Sequence, residues 1–370
     1  MTYLLPSLML FCLMLGIFLG YPVALLLGGL SLIFTLVGDI PLATFGLVVN
    51  RVYGGVLSNW ILAAIPLFVF MGIMLDKSEV ARNLLRELEG LFAGKAGGLA
   101  LSVIIVGIVM AASTGIIGAS VVLMGTLALP VMLGQGYDKS LAMGTILGSG
   151  TLGILIPPSI MLVVFGDIMQ VSIGSLFAAA LLPGAMLGFF YVCYVVFIAM
   201  RSPEKAPPLQ RDESELVGSL ISRLAINLIV PAALISSVLV SIVLGIATPT
   251  EGAAIGAAGA LLIAIANRKL TLEMFGSALR ETTLTTGMIL FLAIGATAFG
   301  VIFSRLGGHD LIEHMIGLLG GDPYIVLLGI MLLIFILGFF LEWIEISFLA
   351  LPLLAPIVGN LDFAPTVVSQ

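Results

Sequence analysis

Long apolar stretches separated by short polar segments run through the whole chain. A helix that crosses the hydrocarbon core of a bilayer needs roughly 20 predominantly apolar residues, and many of these stretches approach or exceed that length. The predicted membrane helices are 4–20, 22–38, 61–76, 140–168 (interrupted), 172–200, 223–246, 250–267 and 284–304. The pattern therefore predicts an all-α integral membrane protein that crosses the bilayer several times.

Two further apolar regions, 97–134 and 322–360, are broken in the middle. We predict that each forms a re-entrant hairpin, which enters the membrane and returns to the side from which it came. The stretch 42–59 is shorter and contains Asn50 and Arg51, so we expect it near the membrane interface.

A polar linker over 201–222, with three prolines and mixed charges, divides the chain into 1–200 and 223–370. Leu-Ala-Leu-Pro at 127–130 recurs at 349–352, an offset of 222. Upstream, a Leu-Phe pair followed by a glycine repeats at nearly the same offset. Internal repeats of this size are typical of secondary transporters. The sequence thus predicts two repeats, each with scaffold helices and one hairpin.

The positive charges predict how the repeats are oriented. When both hairpins return to their starting side, 12 of the 14 Lys and Arg residues share one side of the membrane, and only Arg51 and Arg305 face the other. The twelve are Lys77, Arg82, Arg86, Lys95, Lys139, Arg201, Lys205, Arg211, Arg223, Arg268, Lys269 and Arg280. Cytoplasmic loops carry an excess of Lys and Arg, so that side is predicted to be cytoplasmic, with the N-terminus periplasmic and the repeats inverted.

Composition further narrows the class of protein. Apolar residues make up 61% of the chain and charged residues 9%, against roughly 25% charged in a typical soluble domain, and mean hydropathy is +1.27. No basic cluster interleaved with aromatics indicates nucleic-acid binding. Cys12 and Cys193 lie in apolar runs, and His309 with His314 has too few neighbouring ligands for a metal site. No enzyme motif is present, so we predict that the protein is not an enzyme.

Small and hydroxyl residues cluster at two places where helical backbone is expected to break. The first is the bend of hairpin 97–134, and the second lies in the interrupted helix 140–168. Unwound backbone at membrane depth must be buried in protein or line a cavity, and it can supply ion ligands and helix dipoles. The alternative is a structural kink against small neighbours. The clusters are Ser113, Thr114, Gly115, Gly118, Ala119 and Ser120, and Gly148, Ser149, Gly150, Thr151, Gly153, Pro157, Pro158 and Ser159.

Few acidic residues fall within apolar regions. Glu251 follows Thr248 at a predicted helix start, where an acid offsets the helix dipole. We favour this capping role over a role in ion coupling. Glu342 and Glu345 flank Trp343 near the second hairpin bend. A buried acid at that depth is costly and indicates function, whereas at the water interface it need not.

The chain resembles the large membrane subunit of tripartite ATP-independent periplasmic (TRAP) transporters over essentially its whole length. The block from Gly150-Thr151-Leu152-Gly153 to Pro157-Pro158-Ser159 is the most specific of the matching motifs. The other matching motifs are 112–120, 129–130, 136–139, 248–251 and 338–342.

The resemblance implies a sodium-driven importer of carboxylates in the inner membrane, with an elevator-type fold. It implies two partners, a small four-helix membrane subunit and a periplasmic substrate-binding protein, and no cofactor besides the coupling sodium ion. Carried onto this chain, the first sodium site comprises Ser113, Thr114, Gly115, Gly148, Ser149, Gly150 and Thr151. The organic anion is expected near both hairpin tips, with Gly118, Ser120, Pro157, Pro158 and Glu342 as contacts. The first tip departs from the serine-rich tip of the dicarboxylate branch, so dicarboxylates are not singled out.

One expected element has no counterpart. The repeat offset places a partner of 148–158 near positions 370–380, whereas the sequence ends at Gln370. The family has a second discontinuous helix there, so we expect this chain to be a fragment or a truncated product with an incomplete second sodium site. Two other functions remain open, a stand-alone sodium–anion symporter of related fold and a non-transporting membrane scaffold.

Overall fold

The structure is a computed structural model that describes residues 3–114, 117–208, 217–317, 322–359 and 361. Throughout this described part, every regular element is helical. The α-helices are α1 (Leu4–Phe18), α2 (Val23–Val37), α3 (Thr44–Val52), α4 (Ala64–Lys77), α5 (Val80–Leu91), α6 (Gly98–Thr114), α7 (Ile117–Gly134), α8 (Lys139–Leu155), α9 (Ile160–Met169), α10 (Ile173–Arg201), α11 (Val217–Val243), α12 (Pro249–Ala266), α13 (Leu272–Arg305), α14 (Gly308–Gly317), α15 (Pro323–Leu337) and α16 (Trp343–Gly359). Short π or 3-10 turns occupy Tyr53–Leu57, Trp60–Ala63 and Pro203–Lys205.

Several of these helices have the length and composition of membrane spans. Within the described residues, Trp60–Lys77, Ile173–Arg201, Pro249–Ala266 and Leu272–Arg305 are long and apolar enough to cross a bilayer. The pair α8 and α9 forms a fifth candidate, bent by 42° at its break. The predicted all-α membrane class and the interrupted helix are therefore confirmed.

Two helices begin earlier than hydropathy predicts. Helix α13 starts at Leu272 rather than at 284, and α11 starts at Val217 rather than at 223. The first turns of α13 contain Glu273, Arg280 and Glu281, which lower hydropathy without interrupting backbone hydrogen bonding. Apolar patterning therefore predicted the apolar part of this helix and missed its polar extension.

Each predicted hairpin consists of two helices with a short break, α6 and α7 in the first and α15 and α16 in the second. In both halves of the chain a helix is followed by a shorter helix and then by the two helices of the hairpin, as α4 to α7 and as α13 to α16. The inverted repeat itself stays a prediction.

The structure divides into two compact units. The first comprises Met1–Asn59, Asp167–Gln170 and Thr286–Gln370. In this unit α1 packs on α2, and α15 packs on α16 around a small apolar cluster that includes Val326 and Leu354.

The second unit comprises Trp60–Gly166 and Val171–Thr285. Helix α4 packs along α12, and both α6 and α7 pack along α8. At the α4–α12 contact, Gly256 has no side chain, and a Cβ placed there would lie 2.5 Å from the Met71 sulfur. Small residues in this way let membrane helices approach closely.

In the second unit, ion pairs connect the end of α4 to α13, and Glu79 just after α4 to the segment between α12 and α13. Lys77 Nζ lies 2.8 Å from Glu281 Oε1, and Lys269 Nζ lies 2.6 Å from Glu79 Oε2. The charge distribution assigns Lys77 and Lys269 to the same side of the membrane, and the structure brings them to one junction.

Candidate functional site

The first hairpin and α8 meet through residues without bulky side chains. A Cβ at Gly107 of α6 would overlap Ser149 Cβ and lie 3.1 Å from the Ser149 carbonyl oxygen. A Cβ at Gly150 would lie 2.5 Å from Val121 Cγ2 of α7 and 3.3 Å from its backbone nitrogen. Adjacent residues of α8 are therefore held between the two helices of the hairpin, which brings the second predicted cluster against the hairpin.

The tip of the first hairpin lies largely outside the described residues. Ser113 and Thr114 belong to the last turn of α6 by their backbone, while their side chains and the whole of Gly115 are outside the described part. Gly118 is exposed, and Ser120 is buried at 5% exposure. Ser120 immediately precedes Val121, so this predicted substrate residue lies beside the α8 contact at Gly150.

Helix α8 does not unwind at the glycine pair. It remains helical through Gly148–Thr151 and ends at Leu155. Ser149 Oγ donates to the Ile146 carbonyl at 3.0 Å, and Thr151 Oγ1 donates to the Gly148 carbonyl at 2.9 Å. The predicted break of this helix therefore lies at the prolines and not at the glycine pair, because two glycines weaken a helix by only about 1 kcal/mol each and leave every backbone N–H in place.

The helix breaks where two consecutive prolines remove backbone donors. Pro157 and Pro158 cannot donate to the carbonyls of Gly153 and Ile154, which a continuing helix would require. Ser159 Oγ instead donates to the Ile154 carbonyl at 2.7 Å. The hydroxyl is buried and takes the place of the N–H that Pro158 lacks. Pro157, Pro158 and Ser159 are all buried, and the Pro157–Pro158 peptide bond is cis.

The acidic residue Glu251 caps its own helix. Its carboxylate accepts from the Thr248 backbone N–H at 2.8 Å, while Thr248 Oγ1 accepts from the Glu251 backbone N–H at 3.3 Å. These reciprocal bonds form a capping box at the start of α12. The predicted capping role is confirmed.

The second hairpin bend places Glu342 and Glu345 at the start of α16. Glu345 Oε2 accepts from the Glu342 backbone N–H at 3.1 Å. The Glu345 carboxylate therefore caps the N-terminus of α16, which begins just after Glu342. Both line a cavity of about 330 Å³ within the first unit, whose walls also include Pro22 of the α1–α2 turn and Phe291 of α13. Glu342 is exposed and Glu345 half-buried.

Two structural contacts of α8, α9 and their neighbours were not predicted from the sequence. Asp167, in the last turn of α9, accepts a hydrogen bond from Asn59 Nδ2 at 2.8 Å. In the segment after α10, the Lys205 carbonyl accepts from the Asp138 N–H and the Ala206 carbonyl from the Gly97 N–H, both at 2.9 Å. The segment therefore ties together the residues just before α6 and α8. No spacing in the sequence signals either contact, because the partners are far apart along the chain.

A family model described as the tripartite ATP-independent periplasmic transporter, DctM component, matches residues 10–369. The chain is 30% identical over 308 residues to the C4-dicarboxylate TRAP transporter large permease protein DctM of Pseudomonas aeruginosa, covering 83% of this chain and 71% of that protein.

Relatives with other named substrates match at similar levels. The sialic acid TRAP transporter large permease protein SiaM of Vibrio cholerae is 27% identical over 353 residues, covering 94% of this chain and 80% of that protein. The ectoine TRAP transporter large permease protein TeaC of Halomonas elongata is 27% identical over 308 residues, covering 83% of this chain and 71% of that protein.

Proposed function

The chain belongs to the DctM family of TRAP transporter large permease subunits, and from this membership we propose that it imports an organic acid across the inner membrane, driven by a sodium gradient. The observation that carries this proposal is the packing of a two-helix hairpin on a helix that breaks at Pro157–Pro158. A scaffold has no need of a broken helix at that place. The relatives act on C4-dicarboxylates, sialic acid and ectoine by their names, so we propose a carboxylate-bearing substrate.

Oxygen atoms gathered at the contact between the hairpin and α8 support sodium binding. Ser149 is fully buried, and Ser120 and Thr145 are nearly so. The hydroxyls of Ser149, Thr145 and Thr151 each donate their proton to a helix carbonyl. Each such hydroxyl keeps lone pairs for a cation. Hard cations prefer oxygen ligands, and these residues present them without competing charge.

The proposed system includes the small membrane subunit and a periplasmic binding protein, with the N-terminus of this chain in the periplasm and an elevator-type movement of the hairpins. In intact cells, a Tyr3→Cys variant is expected to react with a membrane-impermeant maleimide. Labelling only after the cells are permeabilised would contradict this orientation.

Uptake by proteoliposomes tests the proposed transport. We expect the chain, reconstituted with its small subunit and binding protein, to accumulate a labelled C4-dicarboxylate, sialic acid or ectoine under an inward sodium gradient, but not under potassium. Equal uptake in potassium would overturn sodium coupling. Uptake without the binding protein would instead assign a stand-alone symporter, and uptake of no carboxylate would overturn the transport function of this chain.

The sodium residues are tested by sodium-dependent thermal stabilisation. A ligand at 100 times its dissociation constant stabilises the folded state by roughly 2.7 kcal/mol. We expect Ser149→Ala and Thr151→Ala to weaken sodium stabilisation. Ser31→Ala is the matched control, because its buried hydroxyl likewise donates within its own helix, to the Leu27 carbonyl at 2.6 Å. Unchanged sodium affinity in both site variants would contradict the assignment.

A further inference from the structure

A slot of about 680 Å³ lies between α6, α8 and α10 in the second unit, away from the hairpin tip and the helix break. Its wall along α8 runs from Asp138 through Gly144 to Gly148, its wall along α10 includes Tyr191 and Tyr194, and Lys205 closes one end. The slot shares Thr145 and Gly148 with the residues named for sodium binding, but the transport function proposed above gives the rest of its lining no role. Its volume falls within the roughly 300–1,000 Å³ of small-molecule sites and is too small for a partner helix.

The slot is mainly apolar, and two residues of its floor along α8, Gly144 and Gly148, have no side chain. A Cβ at Gly144 would meet nothing within 4 Å, and one at Gly148 would approach only the Tyr191 ring, at 3.3 Å. On the rim, Phe190 is 56% exposed and Tyr194 is 60% exposed. In a protein whose surface contacts lipid, an open groove of this kind fits a flexible hydrocarbon chain better than a compact polar solute.

The end of the slot at Lys205 is polar and built by specific backbone contacts. The Lys205 carbonyl accepts from the Asp138 N–H, and the next carbonyl, of Ala206, accepts from the Gly97 N–H. These bonds hold the segment after α10 across the starts of α6 and α8. Lys205 is exposed, and among the residues that the structure describes it makes no ion pair.

The charges around this end favour an anion. Lys139 and Arg201 are both exposed and stand beside this segment in sequence at the ends of α8 and α10, together with Lys205. Among the residues that the structure describes, the acidic groups there are Asp138 and Glu204. Asp138 is engaged as the cap of α8, accepting from the Leu141 N–H at 3.0 Å. Basic pockets between membrane helices bind anionic lipid headgroups.

We propose that this slot binds an anionic glycerophospholipid, with one acyl chain along the Gly144–Gly148 floor and the phosphate at Lys205. The proposal goes beyond transport and requires only that the chain lies in a bilayer. Both halves of the slot are needed, because the apolar floor binds the acyl chain and the Lys205 ammonium group selects an anionic headgroup. A lysine near a helix end can lay its apolar stem along apolar surface and keep its ammonium group at the membrane interface.

The test is lipid retention and thermal stabilisation of the purified full chain in detergent. The probes are phosphatidylglycerol, phosphatidylcholine with the same acyl chains, and glycerol phosphate. We expect phosphatidylglycerol to be retained in native mass spectra and to raise the unfolding midpoint more than phosphatidylcholine does. Glycerol phosphate is expected to have no effect. An equal shift with glycerol phosphate would mean a free-anion site and overturn the proposal.

Two variants separate the two halves of the slot. Gly144→Leu is expected to fill the slot above its floor and to remove stabilisation by both phospholipids. If this variant does not fold, Gly144→Ala serves in its place, because its methyl group has open space in the protein. Lys205→Gln is expected to weaken phosphatidylglycerol binding about fivefold and phosphatidylcholine binding by less, because the choline group offsets the phosphate charge. Arg280→Gln, which removes an exposed charge outside the slot, is the control. Retention unchanged by the Gly144 variants, or reduced equally by Lys205→Gln and Arg280→Gln, would overturn the proposal.

Discussion

A methyl group at Gly107 would collide with parts of α8 that cannot move aside. In the structure a Cβ at this position overlaps Ser149 Cβ and lies 3.0 Å from Ser149 Oγ and 3.1 Å from its carbonyl oxygen. The Cβ and the carbonyl belong to the rigid helix frame, so no side-chain rotation relieves the contact. Gly107→Ala must therefore push α6 and α8 apart along the contact that holds the hairpin.

The size of the effect follows from two opposing contributions. Replacing a helical glycine by alanine stabilises a helix by about 1 kcal/mol, while overpacking a close contact costs typically about 1–3 kcal/mol. Gly125→Ala, in α7, gains the first contribution without the second, because a Cβ there meets nothing within 4 Å. The difference between the two variants isolates the packing cost, and we expect it to be about 1–3 kcal/mol.

The assay is reversible unfolding of the purified protein in mixed detergent micelles, followed by far-ultraviolet circular dichroism. We expect Gly125→Ala to be at least as stable as the wild type and Gly107→Ala to be less stable than Gly125→Ala. Gly107→Ala should also lower sodium affinity, because Ser149 is among the predicted ligands. Equal stability of the two variants would refute the close packing of α6 on α8.

The other predictions concern single hydrogen bonds and one ion pair. Ser159→Ala should lower the free energy of unfolding by about 1–3 kcal/mol, because it leaves the Ile154 carbonyl without its donor. Ser149→Ala, at an equally buried position, should lower it much less in sodium-free buffer, because the Ile146 carbonyl keeps its helix hydrogen bond. Equal losses of stability in denaturant titrations would contradict this account of the break. The hydrogen bond from Lys269 holds the pKa of Glu79 below its usual range, so its stabilisation is present at neutral pH and is lost as the pH falls through the lowered pKa. Glu79→Gln should therefore destabilise by up to about 1 kcal/mol at pH 7 and converge with the wild type in acid, and a difference that persists below the lowered pKa would refute the role of the ion pair.

Much of the architecture could be predicted from the sequence because bilayer insertion depends on local composition. Apolar length located most of the apolar helices but not α5 and α14, which lie in charged stretches. The broken apolar stretches 97–134 and 322–360 each form two helices, and their re-entrant course stays a prediction. The Pro157–Pro158 pair marked the interrupted helix because proline lacks a backbone donor wherever it occurs. The Thr248–Glu251 cap was predictable for the same reason, since its partners are three residues apart.

The tertiary structure decided features that depend on partners distant in the chain. The sequence indicated a break between Gly148 and Ser159 without placing it, and Gly148–Thr151 stay helical because α6 and α7 pack against them and no backbone donor is missing. The slot between α6, α8 and α10 has Lys205 at one end because the Lys205 segment is tied to Asp138 and Gly97. Hydropathy and helix propensity depend on each residue and its neighbours in sequence. Close approach between two helices depends on which of their surfaces meet, and the packing of the whole unit determines those surfaces.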